Sequence, residues 1–352
     1  MFTNLRRFAL AGGLSAVILL NAFSLAANPG EEGGLVKWMT LQEALEKVKT
    51  APRPIILDFY TDWCGWCKHM MKTTYSDPGL AGYINQNFYP VQFDAEGKDT
   101  IEFLGKTYKP TAPEPRRPHE FAVEMLNGKL SYPSTIFLNN YDPAKNKFQT
   151  SLSAAGYLDV RKIEPILIFI LENASRNCNF DDFNAQYEKA FFDSLNKEKM
   201  ERLKWTDPKQ FFSVGFQKKR KTLVMIDSEW CNACKVMRRA TFSDTACADY
   251  LSKTFELVEL NALSADEYAF NGKIFSGAYN EQIPFNKLSM ELCRNNLVLP
   301  MLVVLDENNT ILDAVPGYIH PRFLKDIARY YGGDIFRQKS WADYMKDVYP
   351  QN

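Results

Sequence analysis

No excess of either charge marks this sequence: 42 Lys and Arg stand against 42 Asp and Glu, and no segment gathers the basic side chains. That argues against a surface for nucleic acid or anionic membrane, which needs clustered cations. Histidine is scarce, three in 352 residues, and no two lie at ligand spacing. Seven cysteines are too few for a disulfide-built scaffold of this length, and their odd number leaves at least one unpaired or paired between molecules. Beyond the N-terminal segment no run reaches the length of a membrane-spanning helix; "IEPILIFILENA" at 163–174 is short and interrupted by Pro165 and charge.

The N-terminal segment does have a pattern. Arg6 and Arg7 precede an apolar run from Phe8 to Leu20, then small residues ending in Ser24-Leu25-Ala26. This is the order of a cleaved secretory signal peptide over 1–26, with a run too short for an anchor and a poor fit to twin-arginine export. The expectation is an exported, periplasmic protein. The remainder suffices for two domains, and 46% apolar with 14% aromatic residues can fill sizeable cores.

Sliding the chain against itself exposes a long repeat. Cys64 and Cys231 lie 167 positions apart, and the same offset relates Trp63 to Trp230, Lys68 to Lys235, Met70 to Met237, Ser76 to Ser243, Asp77 to Asp244 and Pro133 to Pro300. Each copy reads as a helical stretch ("LQEALEKVKT", "DPKQFFSVGFQKK"), a β-rich run ("PIILDFY", "TLVMIDS"), a C-x-x-C motif opening a helix, and a second strand. A variable region, the shared proline, two more strands and a closing helix follow. This pattern predicts an α/β fold of two tandem domains, each a mixed β-sheet flanked by helices, at 35–174 and 205–333. Between them, 175–204 reads as a helical connector, and 334–352 as a C-terminal tail with a short amphipathic helix. Pro-rich "YKPTAPEPRRP" at 108–118 reads as a surface loop.

Two cysteines one helical turn apart, Cys64 with Cys67 and Cys231 with Cys234, can form a redox couple, half a zinc site or a structural staple. Zinc is disfavoured because a four-cysteine site usually brings its pairs within about 20 residues. A staple does not explain Trp63 and Trp230 beside each first cysteine. A C-x-x-C where a strand meets a helix lowers a thiol pKa, since the helix N-terminus favours the thiolate, so redox chemistry leads.

At these residues both copies resemble the thioredoxin family. The run from Asp58 to Lys68, "DFYTDWCGWCK", is similar to the family's active-site strand and turn, with Gly-Trp between the cysteines. Tyr132-Pro133 and Leu299-Pro300 look like its cis-proline loop, and "TYSDP" and "TFSDT" resemble exported domains such as the C-terminal domain of the membrane disulfide reductase DsbD. The resemblance implies a thiol-disulfide oxidoreductase in which Cys64 or Cys231 attacks a substrate disulfide and Cys67 or Cys234 resolves the mixed disulfide. It implies substrate contacts from Trp63, Trp66, Tyr132, Pro133, Trp230, Leu299 and Pro300, no cofactor and no metal. Protein thiols and disulfides become the partners, with a DsbD-like membrane reductase as an electron donor.

Asp58 stands at the family's buried acid position, where a carboxyl can relay the resolving thiol's proton. The second copy has Met225 there; Asp227, two residues on, either substitutes or is a solvated strand end. The aromatic-rich insertions before each proline either grip substrate or pack as decoration. His69 and His119 have no role in cysteine chemistry, and Cys247 and Cys293, which face Leu80 and Leu126 in the first copy, are open to a local disulfide. The direction of electron flow is not fixed by these residues; the likeness to DsbD favours reduction or interchange. The rival reading is a thioredoxin-fold binding or chaperone-like envelope protein whose cysteine pairs are structural.

Overall fold

The computed structural model describes residues 34–111, 116–172, 174–193, 203–216, 220–278 and 285–350. The signal peptide expected over 1–26 and part of the Pro-rich loop lie outside the described residues. No described helix is long and apolar enough to cross a membrane.

The first repeat begins with α1 (Leu41–Thr50), started by a capping box in which Thr40 Oγ1 accepts from Glu43 N while the Glu43 carboxylate accepts from Thr40 N and Oγ1. Strand β1 (Ile55–Tyr60) follows and runs into α2 (Gly65–Lys72). Asp77 then caps α3 (Pro78–Asn87) by accepting from Leu80 N at 2.8 Å, with Pro78 in the first turn where its missing N–H costs nothing. Strand β2 (Tyr89–Asp94) pairs parallel with β1. A hairpin of β3 (Ile101–Phe103) and β4 (Lys106–Tyr108), then α4 (Glu120–Met125), precede β5 (Ser134–Asp142), β6 (Lys147–Ala155) and α5 (Val160–Leu171). The sheet order is β2-β1-β5-β6, with β5 antiparallel to both neighbours. Central β1 buries Ile55, Ile56, Leu57 and Phe59, each worth about 1.5–3 kcal/mol.

After α6 (Phe180–Phe191), the second repeat rebuilds this plan with α7 (Pro208–Phe211), β7 (Thr222–Asp227), α8 (Asn232–Val236), α9 (Thr245–Thr254) and β8 (Glu256–Asn261). It continues through β9 (Tyr268–Phe270), β10 (Lys273–Phe275), α10 (Lys287–Leu292), β11 (Met301–Leu305), β12 (Ile311–Pro316) and α11 (Pro321–Gly332). The sheet order β12-β11-β7-β8 mirrors the first. Bridges of Met39 to Val91 and of Thr206 to Val258 extend both sheets at the same repeat offset. The shared Ser-Asp pair has a structural cause: Asp244 caps α9 as Asp77 caps α3, while Ser76 and Ser243 bond back to the carbonyls of Met71 and Arg239. The tail contains α12 (Trp341–Val348), whose Tyr344 is buried.

One expectation is corrected. Over its described residues, 207–216, "DPKQFFSVGFQKK" forms only the single turn α7, since the chain leaves helical geometry at Phe212 and turns at Gly215 with φ 83°. Of the two readings of the insertions, the buried aromatic residues favour packing: Phe103, Tyr108 and Phe121, with Tyr268 and Phe270 in the second repeat, lie in the cores.

One face of the first sheet closes its own core around Leu57, Phe59 and Phe121. The other face, through Ile56, Phe137 and the buried residues of α5, continues through Phe183 and Tyr187 of α6 into the second repeat. The repeats therefore share a core. Helix α6 packs against α8 and the π-helical turn Met237–Thr241 that prolongs it, and α5 packs against α8.

Candidate active sites

Each cysteine pair sits where a central strand hands over to a helix. Cys64 is the N-cap of α2, its Sγ accepting from Cys67 N at 3.1 Å; Cys231 caps α8 the same way, its Sγ accepting from Cys234 N at 3.1 Å. Both pairs are disulfide-bonded, with Cα–Cα separations of 5.3 and 5.2 Å. Each first sulfur thus occupies the positive end of a helix, where a thiolate is favoured on reduction. Among the described residues no three His, Cys, Asp or Glu side chains gather at metal-binding distance.

The prolines of the repeat follow cis peptide bonds, Tyr132-Pro133 and Leu299-Pro300. Their carbonyls accept from Gly156 N (2.8 Å) and Gly317 N (2.7 Å), and these glycines adopt φ 87° and 83°, a conformation that other residues enter at a cost. The proline loop is thereby tied to the strand that ends the sheet.

Residues 31–150 match the family Thioredox_DsbH, described as "Protein of unknown function, DUF255", and residues 213–332 match the family described as "Thioredoxin-like domain". Both repeats belong to the thioredoxin family. Among curated relatives, the thiol:disulfide interchange protein DsbD of Vibrio vulnificus (strain CMCP6) is 46% identical over 46 residues, which are 13% of this chain and 8% of that protein. The chain thus aligns with a small part of that relative's length. Among solved structures, a thioredoxin-fold protein from Helicobacter pylori is 15% identical, with 46% of this chain and 92% of that one covered and a TM-score of 0.32. The reduced C-terminal domain of DsbD from Neisseria meningitidis is 18% identical, with 37% and 93% covered and a TM-score of 0.25.

The two thioredoxin-like sites differ in surroundings. At the first, Trp63 and Trp66 stand in solvent. Trp63 donates from Nε1 to Glu96 Oε1 (3.0 Å), meets Tyr132 edge-on and has the Arg116 guanidinium over its ring. Trp66 packs with His69 and Tyr157. His69 therefore belongs to an aromatic rim, whereas His119 is buried, accepting at Nδ1 from Phe121 N to cap α4. At the second site Trp230 is exposed, but the residues between the cysteines are not: Ala233 is 0% exposed where its counterpart Trp66 is 62% exposed. Trp230 and Leu299 line a cleft of about 490 Å³ whose far wall, Tyr83, Leu171 and Glu172, comes from the first repeat.

The buried acids differ as well. Asp58 lies opposite Thr135 on the neighbouring strand and accepts from Thr135 Oγ1 (3.0 Å) and the Tyr75 hydroxyl (3.2 Å). Burial lifts its carboxyl to about 7, against the opposing pull of these two bonds. The repeat offset turns Asp58, Tyr75 and Thr135 into Met225, Phe242 and Leu302, an apolar set.

Acid chemistry returns beside the second pair from other positions. Asp227 is buried, which rules out a solvated strand end, and Arg238 bonds its carboxylate and that of Glu259. Glu259 lies across the parallel register from Met225. Burial raises both carboxyls, with Arg238 pulling the other way. These three side chains line a cleft of about 570 Å³ together with Cys234 and Lys235. Sequence reasoning missed Glu259 and Arg238; a signal was available, because Glu259 matches Gln92 at the repeat offset, placing a carboxylate inside a strand of the sheet.

Cys247 and Cys293 are unpaired and buried, their thiols donating to the carbonyls of Pro321 (3.0 Å) and Met290 (3.3 Å). The local disulfide considered from sequence does not form.

Proposed function

We propose that the protein is an exported thiol-disulfide oxidoreductase that reduces or interchanges disulfides in protein substrates through two sites. The observation that carries this reading is the placement of each first cysteine as the N-cap of its helix, bonded to the second cysteine one turn on. On reduction the first sulfur is the better thiolate, because the helix amides face it. It attacks a substrate disulfide, forming a mixed disulfide and releasing one substrate sulfur. The second cysteine, as thiolate, attacks the first and displaces the remaining substrate sulfur, so two electrons pass to the substrate and the pair returns to a disulfide.

In this scheme Trp63, Trp66 and Tyr132 with Pro133 form the docking rim of the first site, and Trp230 with Leu299 and Pro300 that of the second. Asp58 accepts the proton of the resolving thiol Cys67. The likeness to DsbD supports the reductive direction, a DsbD-like membrane reductase as donor, and work in the periplasm, in keeping with the N-terminal secretory pattern. The test is equilibration with graded glutathione buffers followed by acid quenching and counting of thiols. A redox function expects both pairs to titrate to defined potentials within the range of about −270 to −120 mV covered by this fold. Pairs that stay oxidised in every buffer and under a dithiol reductant are staples, and the binding-protein reading then stands.

A further inference from the structure

Helix α5 of the first repeat ends at Glu172, and this side chain leaves its own domain. Its Oε2 accepts from Ala233 N at 2.6 Å and its Oε1 from Asn232 N at 3.2 Å; the Tyr83 hydroxyl of α3 donates to the same Oε1 at 3.2 Å. Asn232 and Ala233 are the residues between Cys231 and Cys234, so a carboxylate from one repeat takes the amides that open the active-site helix of the other. At the first site the corresponding amides, of Gly65 and Trp66, receive no carboxylate among the described residues.

We propose that Glu172 is a positioning residue of the second site, holding the Cys231 thiol back from ionisation and so making the Cys231–Cys234 couple more reducing than its own helix would set it. The inference rests on the redox reading of that pair. A thiolate at a helix N-terminus is stabilised by the amides and partial positive charge there. A carboxylate already bonded to two of those amides uses their donor capacity and adds like charge beside the sulfur. Both effects raise the cost of the thiolate. A reduced form whose thiolate is less stable makes the disulfide harder to reduce, the reverse of the stabilised thiolate that makes an oxidant.

The redox step balances within the pair and its partner. A donor dithiol loses two electrons and two protons as its own disulfide forms; the Sγ–Sγ bond of Cys231–Cys234 breaks, and the pair takes both electrons and protons as two thiols. Burial lifts the Glu172 carboxyl to about 7, with the bonds from Ala233, Asn232 and Tyr83 and the charge of Lys235 lowering it. A further titratable neighbour of this cluster is Glu164, which acts on Tyr83 from α5.

The experiment uses the full chain with Cys64→Ser and Cys67→Ser, so that only the second pair reports. Glu172→Gln keeps shape and one acceptor but removes the charge. The Cys231 pKa is read from thiolate ultraviolet absorbance in phosphine-reduced protein, and the couple from glutathione equilibrium. The expected result is a pKa lower by about one unit and an equilibrium constant shifted toward the reduced pair, by about tenfold, or about 30 mV, at a pH above the thiol pKa of both variants. Phe183→Leu, which loosens the contact of α6 with Tyr318 of the second repeat without touching Glu172 or the amides it binds, should leave both unchanged. An unshifted pKa in Glu172→Gln, or an equal shift in Phe183→Leu, overturns the proposal. If Glu172→Gln folds poorly, Glu172→Asp, with the carboxylate withdrawn by one methylene, must shift both readouts in the same direction. Failure of the parent pair to equilibrate with glutathione would defeat the redox reading alone, and the thiolate titration would still decide the role of Glu172.

Discussion

The Tyr75 hydroxyl donates to the Asp58 carboxylate at 3.2 Å inside the first repeat, and the second repeat replaces both partners at once, with Phe242 and Met225. A buried carboxyl and the hydroxyls that satisfy it behave as a unit, because removing one alone leaves an unpaired polar group costing about 1–3 kcal/mol.

For Asp58 the sign of the pH dependence is definite. Its folded pKa, about 7, is raised above the ordinary carboxyl value of 3.8. Its burial therefore costs no stability below pH 3.8, and stability is lost as pH rises from there through 7. Asp58→Asn should raise the melting temperature at pH 8 relative to wild type, by a stability increment of a few kcal/mol at most, and the difference should vanish near pH 4. The same variant should slow exchange at the first site by up to about 30-fold at pH 7, where a thiol of pKa near 8.5 is mostly protonated, with the gap closing above pH 9. Calorimetry and stopped-flow exchange across pH would check both; a pH-independent rate ratio would make the carboxyl purely structural.

At the second site the acid has moved to the neighbouring strand. Glu259→Gln should slow release of substrate from Cys231 near neutral pH by about tenfold while leaving the first site at its wild-type rate. Single-turnover quench with only the second pair active is the measurement, and an unchanged rate would reduce the Asp227–Arg238–Glu259 cluster to packing.

The order of the cysteines predicts trapping. Cys67→Ala and Cys234→Ala each leave an attacking thiol that nothing displaces, so client proteins should accumulate as reducible adducts on Cys64 and Cys231. Non-reducing electrophoresis of an envelope extract would show them. Adducts on Cys64 should outnumber those on Cys231, since the first repeat itself walls the second site.

Cys247 and Cys293 should escape thiol reagents in the folded protein and react after unfolding. Burial pushes the Cys247 thiol up to about 12 and also raises Cys293, and a thiolate is the reactive form. Mass spectrometry after alkylation in native buffer and in denaturant would show Cys247 and Cys293 labelled only in the latter; labelling of either in native buffer would contradict its burial.

By itself the sequence determined the tandem repeat, the α/β order and the helix starts. One offset joining Trp-Cys, Ser-Asp and Pro pairs is readable without a structure, and each pair has a local cause: Cys64 and Cys231 cap helices, and Asp77 and Asp244 cap the next. Such effects act within a few residues along the chain, so the chain alone reveals them. What only the tertiary structure decided is long-range. Glu259 meets Asp227 because the parallel register sets Glu259 beside Met225, two residues before Asp227 on the same strand face, and Glu172 reaches the amides of Asn232 and Ala233 because a core shared through α5 and α6 sets one repeat against the other. Neither carboxylate stands at the position of Asp58, where a repeat comparison looks for one; a buried charge is satisfied by whatever donors the packed fold brings near it, and those lie far away in sequence.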